Sequence, residues 1–235
     1  MDTPRFFIEQ IPESGALVDL PEEAARHAVQ SLRMQPGAAL LLCDGRGQLA
    51  EALITETSKR RCTVRVGIIH LIDPPTRRVV MAVSPLKQTA RFEWFLEKAT
   101  ELGVQAIVPV LCSRTEKARL RTDRLRAILI SAMIQSQQAW LPELHEPVSL
   151  AAFVSNCPSD QKLIAHCEEA AEKKYLHQLN NHERACMLIG PEGDFTPAEI
   201  ELALTHGFMP VSLGDNRLRT ETAALSAAVW LMFRH

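Results

Sequence analysis

Two stretches near the carboxyl end hold the residue types that could do chemistry. Gly190-Pro191-Glu192-Gly193 and Gly214–Glu221 (GDNRLRTE) each join glycine to charged side chains. Glycine lets a ligand approach the backbone closely and tolerates unusual dihedrals. Amides exposed at such turns can bond base edges or ribose hydroxyls. Glu221 and Thr222 suit a helix N-terminus, where free N–H groups favour acceptors. Arg219 does not suit it, because the dipole there repels a cation. It needs an anion such as a phosphate, a carboxylate or Glu221. Neither stretch forms G-x-G-x-x-G or G-x-x-x-x-G-K-[ST], so a dinucleotide fingerprint and a P-loop are excluded. No G-x-S-x-G elbow exists to support an α/β hydrolase.

The elements that position these residues are strand–turn–helix units. The apolar strand Cys186–Ile189 breaks at Gly190, and a helix follows Thr196 with Pro197 at its first position and Glu199 three residues after the cap. Met209–Leu213 breaks at Gly214 and leads through 216–220 to a final helix, Thr220–Phe233. Two such units place their turns at the carboxyl side of a parallel sheet, where α/β proteins bind ligands.

The remainder frames that crevice. Residues 1–73 read as a small β-rich domain: a strand at Phe6–Ile8, a short helix at Glu22–Leu32, and strands at Ala38–Cys43, Leu49–Thr55 and Cys62–Ile69 separated by turn formers. Short strands with tight turns suggest a small barrel. Asp73-Pro74-Pro75 stiffens the link and marks the boundary. Residues 74–235 alternate strands and helices: Val79–Val83, helix Thr89–Leu102 closed by Gly103, Ala106–Leu111, helix Leu120–Ile134, Leu163–Ala165, helix Glu168–Leu179, then the two organising units. That order predicts an α/β fold with a mainly parallel sheet covered on both faces.

The net charge of −2 hides a basic segment. Residues 76–130 carry 11 Lys/Arg against 5 Asp/Glu, whereas the flanking portions are acidic. Arg114, Lys117, Arg119, Arg121 and Arg124 form its densest run, and Arg5 and Arg33 extend the basic character into the first domain. Such a run reads as a solvated helix face or as a track for phosphates. The six cysteines stand singly without CxxC spacing, so they read as buried thiols, and no metal is expected. No apolar start and no run of about eighteen apolar residues is present, which points to a soluble cytoplasmic protein without a membrane partner. His27, His166 and His206 read as structural or solvated.

Several motifs carry a family resemblance: TELGVQAIVP at Thr100–Pro109, LIGPEG at Leu188–Gly193, FTPAE at Phe195–Glu199, and Leu213-Gly214 followed by LRTETAAL at Leu218–Leu225. Pro4-Arg5-Phe6-Phe7 and Leu32-Arg33-Met34 with Pro36-Gly37 add to it at the other end. With these, the chain resembles the RsmE-type 16S ribosomal RNA (uracil-N3) methyltransferases of the SPOUT superfamily. The resemblance implies a C-terminal trefoil-knotted SPOUT methyltransferase domain over residues 74–235 and an N-terminal PUA-like β-barrel that holds RNA. It implies a homodimer that moves a methyl group from S-adenosyl-L-methionine to N3 of a uridine in the small subunit's 16S rRNA. Leu188, Ile189, Gly190, Gly193, Leu213, Gly214, Leu218, Arg219, Glu221, Thr222 and Ala223 would hold the cofactor. Arg219 would be the catalytic cation, with Glu192 and Glu221 as base or organiser. At Ile134 and Gln138 the family often has Glu and Arg. Rival readings are a knotted enzyme acting on transfer RNA or a ribose 2′-hydroxyl, and a ribosome-binding module without catalysis.

Overall fold

The computed structural model describes residues 3–116, 120–168, 173–180 and 182–233. The chain divides into two compact units. The first comprises residues 1–74 with 133–141, and the second residues 75–132 with 142–235. The division falls between Pro74 and Pro75.

The first unit contains β1 (Arg5–Phe7), β2 (Leu17–Asp19), α1 (Glu22–Arg26, continued by a π turn over His27–Ser31), β3 (Ala39–Cys43), β4 (Gln48–Thr57) and β5 (Cys62–Leu71). Their sheet order is β1-β3-β4-β5-β2, with β1/β3 parallel and the other pairs antiparallel. Alternation puts Leu40, Leu42, Ala50, Ala52, Ile54, Val64 and Val66 on one face, which packs with Phe6, Ile8, Ala25 and Ala28. The segment 133–141 joins this unit through backbone bonds: Gly47 N–H donates to Ala139 O, and Leu141 N–H to Gly45 O. Trp140 is fixed here as well. Its indole N–H donates to Ile72 O at 3.2 Å and Asp73 O at 3.1 Å.

The second unit contains β6 (Arg78–Val83), α2 (Thr89–Glu101), β7 (Ala106–Leu111), α3 (Thr122–Gln135, whose last turn belongs to the first unit), β8 (Glu143–Leu144), β9 (Val148–Ser149), α4 (Leu150–Asn156), β10 (Gln161–Ala165), β11 (Lys174–Tyr175), β12 (Arg184–Ile189), α5 (Pro197–Thr205), β13 (Met209–Ser212) and α6 (Thr220–Phe233). Every pairing in its sheet is parallel, in the order β11-β13-β10-β12-β6-β7-β8, with β9 also on β7. Helices cover both faces, as expected. Val80, Ala82, Val108, Ile164 and Leu188 pack with Phe153 and Val154 of α4 and Ile200 and Ala203 of α5. The alternate residues of β6 and β12 face α6, which in turn packs on α2. β6 and β12 are buried almost throughout, which is why they read as unbroken apolar runs.

One expected element is corrected. The helix over Glu168–Leu179 is not formed in its described part: Lys174–Tyr175 pairs with β13, and Leu176–Gln178 is a single 3₁₀ turn. Residues 169–172 lie outside the described residues. Helix propensity in this Glu-, Ala- and Lys-rich stretch loses to strand pairing and to the Tyr175 hydroxyl, which donates to Asp215 Oδ1 at 2.7 Å.

Candidate functional site

The first turn is built by wiring. β12 ends at Ile189, and Gly190 lies under the Phe195 ring, so closely that an added Cβ would sit 2.9 Å from a ring carbon. Glycine is required here by this close approach. Neither Gly190 nor Gly193 adopts a left-handed conformation; Asp194 does, with φ 62°. Its own carboxylate holds it there. Oδ1 accepts from Phe195 N–H and Oδ2 from Cys167 N–H, each at 2.8 Å. Arg114 donates to Gly193 O at 2.8 Å and to Phe195 O at 3.3 Å. Thr196 then caps α5 in a full capping box with Glu199. Glu199 also accepts from Ser113 N–H at 2.7 Å. Burial pushes the Glu199 carboxyl up, but the bonds from Thr196 and Ser113 outweigh it and hold the group below its ordinary 4.5.

The second turn is looser. β13 ends at Ser212, whose hydroxyl bonds both the N–H and the carbonyl of Gly214. Gly214 has φ 135°, open to glycine and strained for other residues. Asp215, Asn216, Arg217 and Arg219 are exposed. Among the described residues, neither arginine side chain has a hydrogen-bond or ion-pair partner. α6 begins at Thr220, and Glu221 is buried. The cation near Glu221 is Arg91 of α2, with Nε 3.7 Å from Oε1, while Arg91 Nη1 reaches Glu192 Oε1 at 3.2 Å. Arg91 thereby links the two turns.

Between the turns lies a cavity of about 650 Å³. Its apolar wall includes Ile189, Val211, Leu213, Leu218 and Ala223, and its charged rim includes Arg91, Lys173, Glu192, Asp194, Asp215 and Arg219. The end of β10 forms part of the wall through Ala165, His166 and Cys167. Of the two sequence readings of His166, structural or solvated, burial removes the second. The residue is buried at the cavity wall, and both ring nitrogens are sealed off without a partner among the described residues. Burial, with Lys173 nearby, holds its pKa below 6.5, so the ring is neutral at pH 7. No group of three or more His, Cys, Asp or Glu among the described residues is placed to hold a metal ion.

With this geometry in view, the relatives decide the family. An RNA methyltransferase domain model matches residues 73–232, and an RNA methyltransferase PUA domain model matches residues 20–67. The ribosomal RNA small subunit methyltransferase E of Mycobacterium bovis is 30% identical over 94% of this chain and 88% of its own length. The chain belongs to the ribosomal RNA small subunit methyltransferase E family. Solved structures agree. An rRNA methyltransferase from Porphyromonas gingivalis is 39% identical, with TM-score 0.90 over 97% of this chain and 98% of its own. A Legionella pneumophila methyltransferase solved with bound SAM is 31% identical, with TM-score 0.89 over 98% and 97%.

Against the family expectation, the structure gathers Ile189, Gly190, Glu192, Leu213, Gly214, Leu218, Arg219 and Ala223 on the cavity wall. Leu188 is buried in the core, Gly193 faces Arg114, Glu221 turns to Arg91 and Thr222 is exposed, all four off the wall. Arg91, His166 and Lys173 were missed. For His166 a signal existed, since it too follows a strand end beside the turns. Arg91 and Lys173 gave none. Of the basic run, Arg124 is engaged by Glu93 at 2.5 and 2.8 Å, Arg121 is exposed, and Lys117 and Arg119 lie outside the described residues. In the first unit Arg5 donates to Gln138 O at 3.1 Å, and Arg33 is exposed with φ 54°. Gln138 itself bonds Ser136 at 3.1 Å. His206 is structural, its Nδ1 2.9 Å from Leu202 O, and His27 is exposed. Five cysteines are buried and Cys167 is exposed. No helix among the described residues is long and apolar enough to cross a membrane.

Proposed function

We propose that this family member transfers the methyl group of S-adenosylmethionine to N3 of a uridine in the 16S ribosomal RNA of the small subunit. The observation that carries the reading is the cavity between the two turns, with the guanidinium of Arg219, partnerless among the described residues, at its rim. The wall suits the cofactor chemically. Ile189, Val211, Leu213, Leu218 and Ala223 offer apolar contact to an adenosine, and Glu192, Asp194 and Asp215 offer negative charge to a sulfonium and an ammonium group. When bound, S-adenosylmethionine supplies an activated methyl on a positively charged sulfur.

The chain's own residues then have two tasks, placement and charge. Uridine must give up its N3 proton to solvent water before it reacts, which leaves an anion shared with the ring oxygens. Arg219 stabilises that anion and so favours the deprotonated base. Glu192 and Glu221 act as organisers, because both are committed to Arg91. The apolar wall excludes water and holds donor and acceptor in line. Leu188 backs this wall from the core, and Gly193 and Thr222 stand beside it.

The same reading gives the second unit the trefoil knot and makes the first a closed PUA-like barrel that grips RNA. Domain limits follow at residues 1–73 and 74–235. Arg5, Arg33, Arg114, Lys117, Arg119, Arg121 and Arg124 are assigned to RNA phosphates; of the five described, Arg33 and Arg121 are the least committed to protein partners. A homodimer is supported by apolar side chains left exposed on the packed pair α2 and α6: Trp94 at 41%, Val229 at 42% and Phe233 at 58%. The protein acts in the cytoplasm. Incubating reconstituted small subunits with labelled S-adenosylmethionine, then mapping the modified atom, tests the function. N3-methyluridine is expected. A labelled ribose, or label only on added transfer RNA, would contradict it.

A further inference from the structure

Arg91 reaches the site through the sheet. Val83 at the end of β6 lies opposite Ile189 at the end of β12, and Ser84 N–H donates to Ile189 O at 3.0 Å. The first turn of α2 therefore opens beside the turn that follows β12, and Arg91 stands on the cavity wall. Carboxylates from both turns hold its guanidinium. Nη1 donates to Glu192 Oε1 at 3.2 Å, and Nε lies 3.7 Å from Glu221 Oε1, beyond hydrogen-bonding reach. Glu221 is buried and needs a cation close by, which keeps Arg91 in place.

The guanidinium is held but not used up. An arginine carries five N–H donors. Among the described residues one of them meets an acceptor, and Nη2 has no partner. The side chain is 29% exposed and Nη2 is not sealed off. Glu192 Oε2 is likewise unpartnered among the described residues. Other cations on the wall suit an anion less well. Lys173 Nζ already donates to His166 O at 2.7 Å, and Arg217 and Arg219 are exposed on the looser turn with no described partner to orient them. A donor fixed before its ligand arrives loses less freedom on binding. Charge narrows the ligand further. Two carboxylates against one guanidinium leave this cluster one negative charge in excess. A lone carboxylate would add to that excess, whereas a carboxylate joined to an ammonium group adds none.

We propose that Arg91 binds the carboxylate of the cofactor's amino-acid end, while Glu192 Oε2 takes the ammonium group beside it. This rests on the cofactor reading above and deepens it by naming the groups that recognise the methionyl half. The carboxylate completes the open donors of Arg91 with charge-assisted hydrogen bonds. The pair also sets a specificity, because a nucleoside that lacks either charge leaves one of the two groups without its partner.

The test measures binding rather than turnover. S-adenosylhomocysteine, its decarboxylated analogue, which ends in the ammonium alone, and its deaminated analogue, which ends in the carboxylate alone, are titrated calorimetrically. The proteins are wild type, Arg91→Gln, Arg91→Lys and Glu192→Gln. Wild type binds S-adenosylhomocysteine about tenfold or more tighter than either analogue. Arg91→Gln loses most of the preference over the decarboxylated analogue and keeps the preference over the deaminated one. Arg91→Lys, which keeps the charge but not the planar fork, recovers part of what is lost. Glu192→Gln shows the reverse pattern. A residue that merely supports the fold would weaken all three compounds by the same factor, and that result overturns the proposal. Unchanged preferences in Arg91→Gln overturn it as well and leave the cofactor reading intact. Arg91→Gln strips the buried Glu221 of its counter-charge. If that variant does not fold, Arg91→Lys decides: a narrowed preference over the decarboxylated analogue upholds the proposal, and an unchanged one overturns it. Wild type that binds all three compounds equally overturns the proposal alone. Wild type that takes up none overturns the cofactor reading with it.

Discussion

The two turns that face each other across the cavity are built on opposite principles. In the first, the backbone of residues 190–196 is engaged by Arg114, Asp194 and Glu199, and Gly190 is closed over by Phe195. In the second, the described bonds are few, the glycine has open space around it, and Arg217 and Arg219 reach no partner among the described residues. Both turns follow parallel strands and precede helices, so topology does not explain the contrast. The division of labour does. A rigid wall fixes the shape of the cavity, and a looser wall leaves Arg217 and Arg219 uncommitted until a ligand arrives, although Asp215 already accepts the Tyr175 hydroxyl. Cations already paired within the protein would have to give up those partners first, at a cost of the order of a hydrogen bond to a charged group, about 1.5–3 kcal/mol.

Substitutions on the two sides should therefore separate activity from stability. The largest effect is expected from Arg219→Ala. Methyl transfer should fall about 10²–10³-fold, in line with loss of one oxyanion-stabilising donor. Its melting temperature should match wild type, because no described bond is lost; a melting shift of several degrees would erase the contrast. On the first side, Gly190→Ala should destabilise by about 1–3 kcal/mol, since the methyl group meets the Phe195 ring. Chemical denaturation measures this, and a neutral result would mean that the wall is softer than described.

Glu199→Ala should cost about 1–3 kcal/mol by stranding Thr196 and Ser113 N–H groups. That cost should depend on pH with a definite sign. The folded carboxyl sits below its ordinary 4.5, so it stabilises the fold fully above that value. The gap between wild type and variant should hold above pH 4.5 and shrink as pH drops through the lower folded value. A gap that widens in acid would contradict the assignment. The smallest effect is expected outside both turns: Arg121→Glu should weaken RNA binding a few-fold and flatten its salt dependence, without altering cofactor affinity.

The chemistry of the first turn was legible because it is local. Thr196, Pro197 and Glu199 announce a capping box within four residues, and Gly103 closes α2 in the left-handed conformation that its position implies. The second turn was legible as a location. Arg219 stood out at a helix start, and only the structure shows that Glu221 is claimed by Arg91. Arg91 stands 130 positions before Glu221 (221 − 91), on the polar side of α2, and no periodicity assigns a partner across that distance. The burial of His166 without a partner for its ring was hidden for a related reason, since sequence gives a residue's type and not whether neighbours will satisfy it. The helix expected at Glu168–Leu179 failed where pairing of Lys174–Tyr175 with β13 overrode local propensity.

The most direct test of the central claim is a crystal structure with S-adenosylhomocysteine bound. Density for the nucleoside should fill the cavity between Gly190 and Gly214, with Arg219 facing the sulfur side and the wall of Ile189, Val211 and Leu213 against the base. A ligand bound elsewhere, or an empty cavity at saturating concentration, would contradict the account.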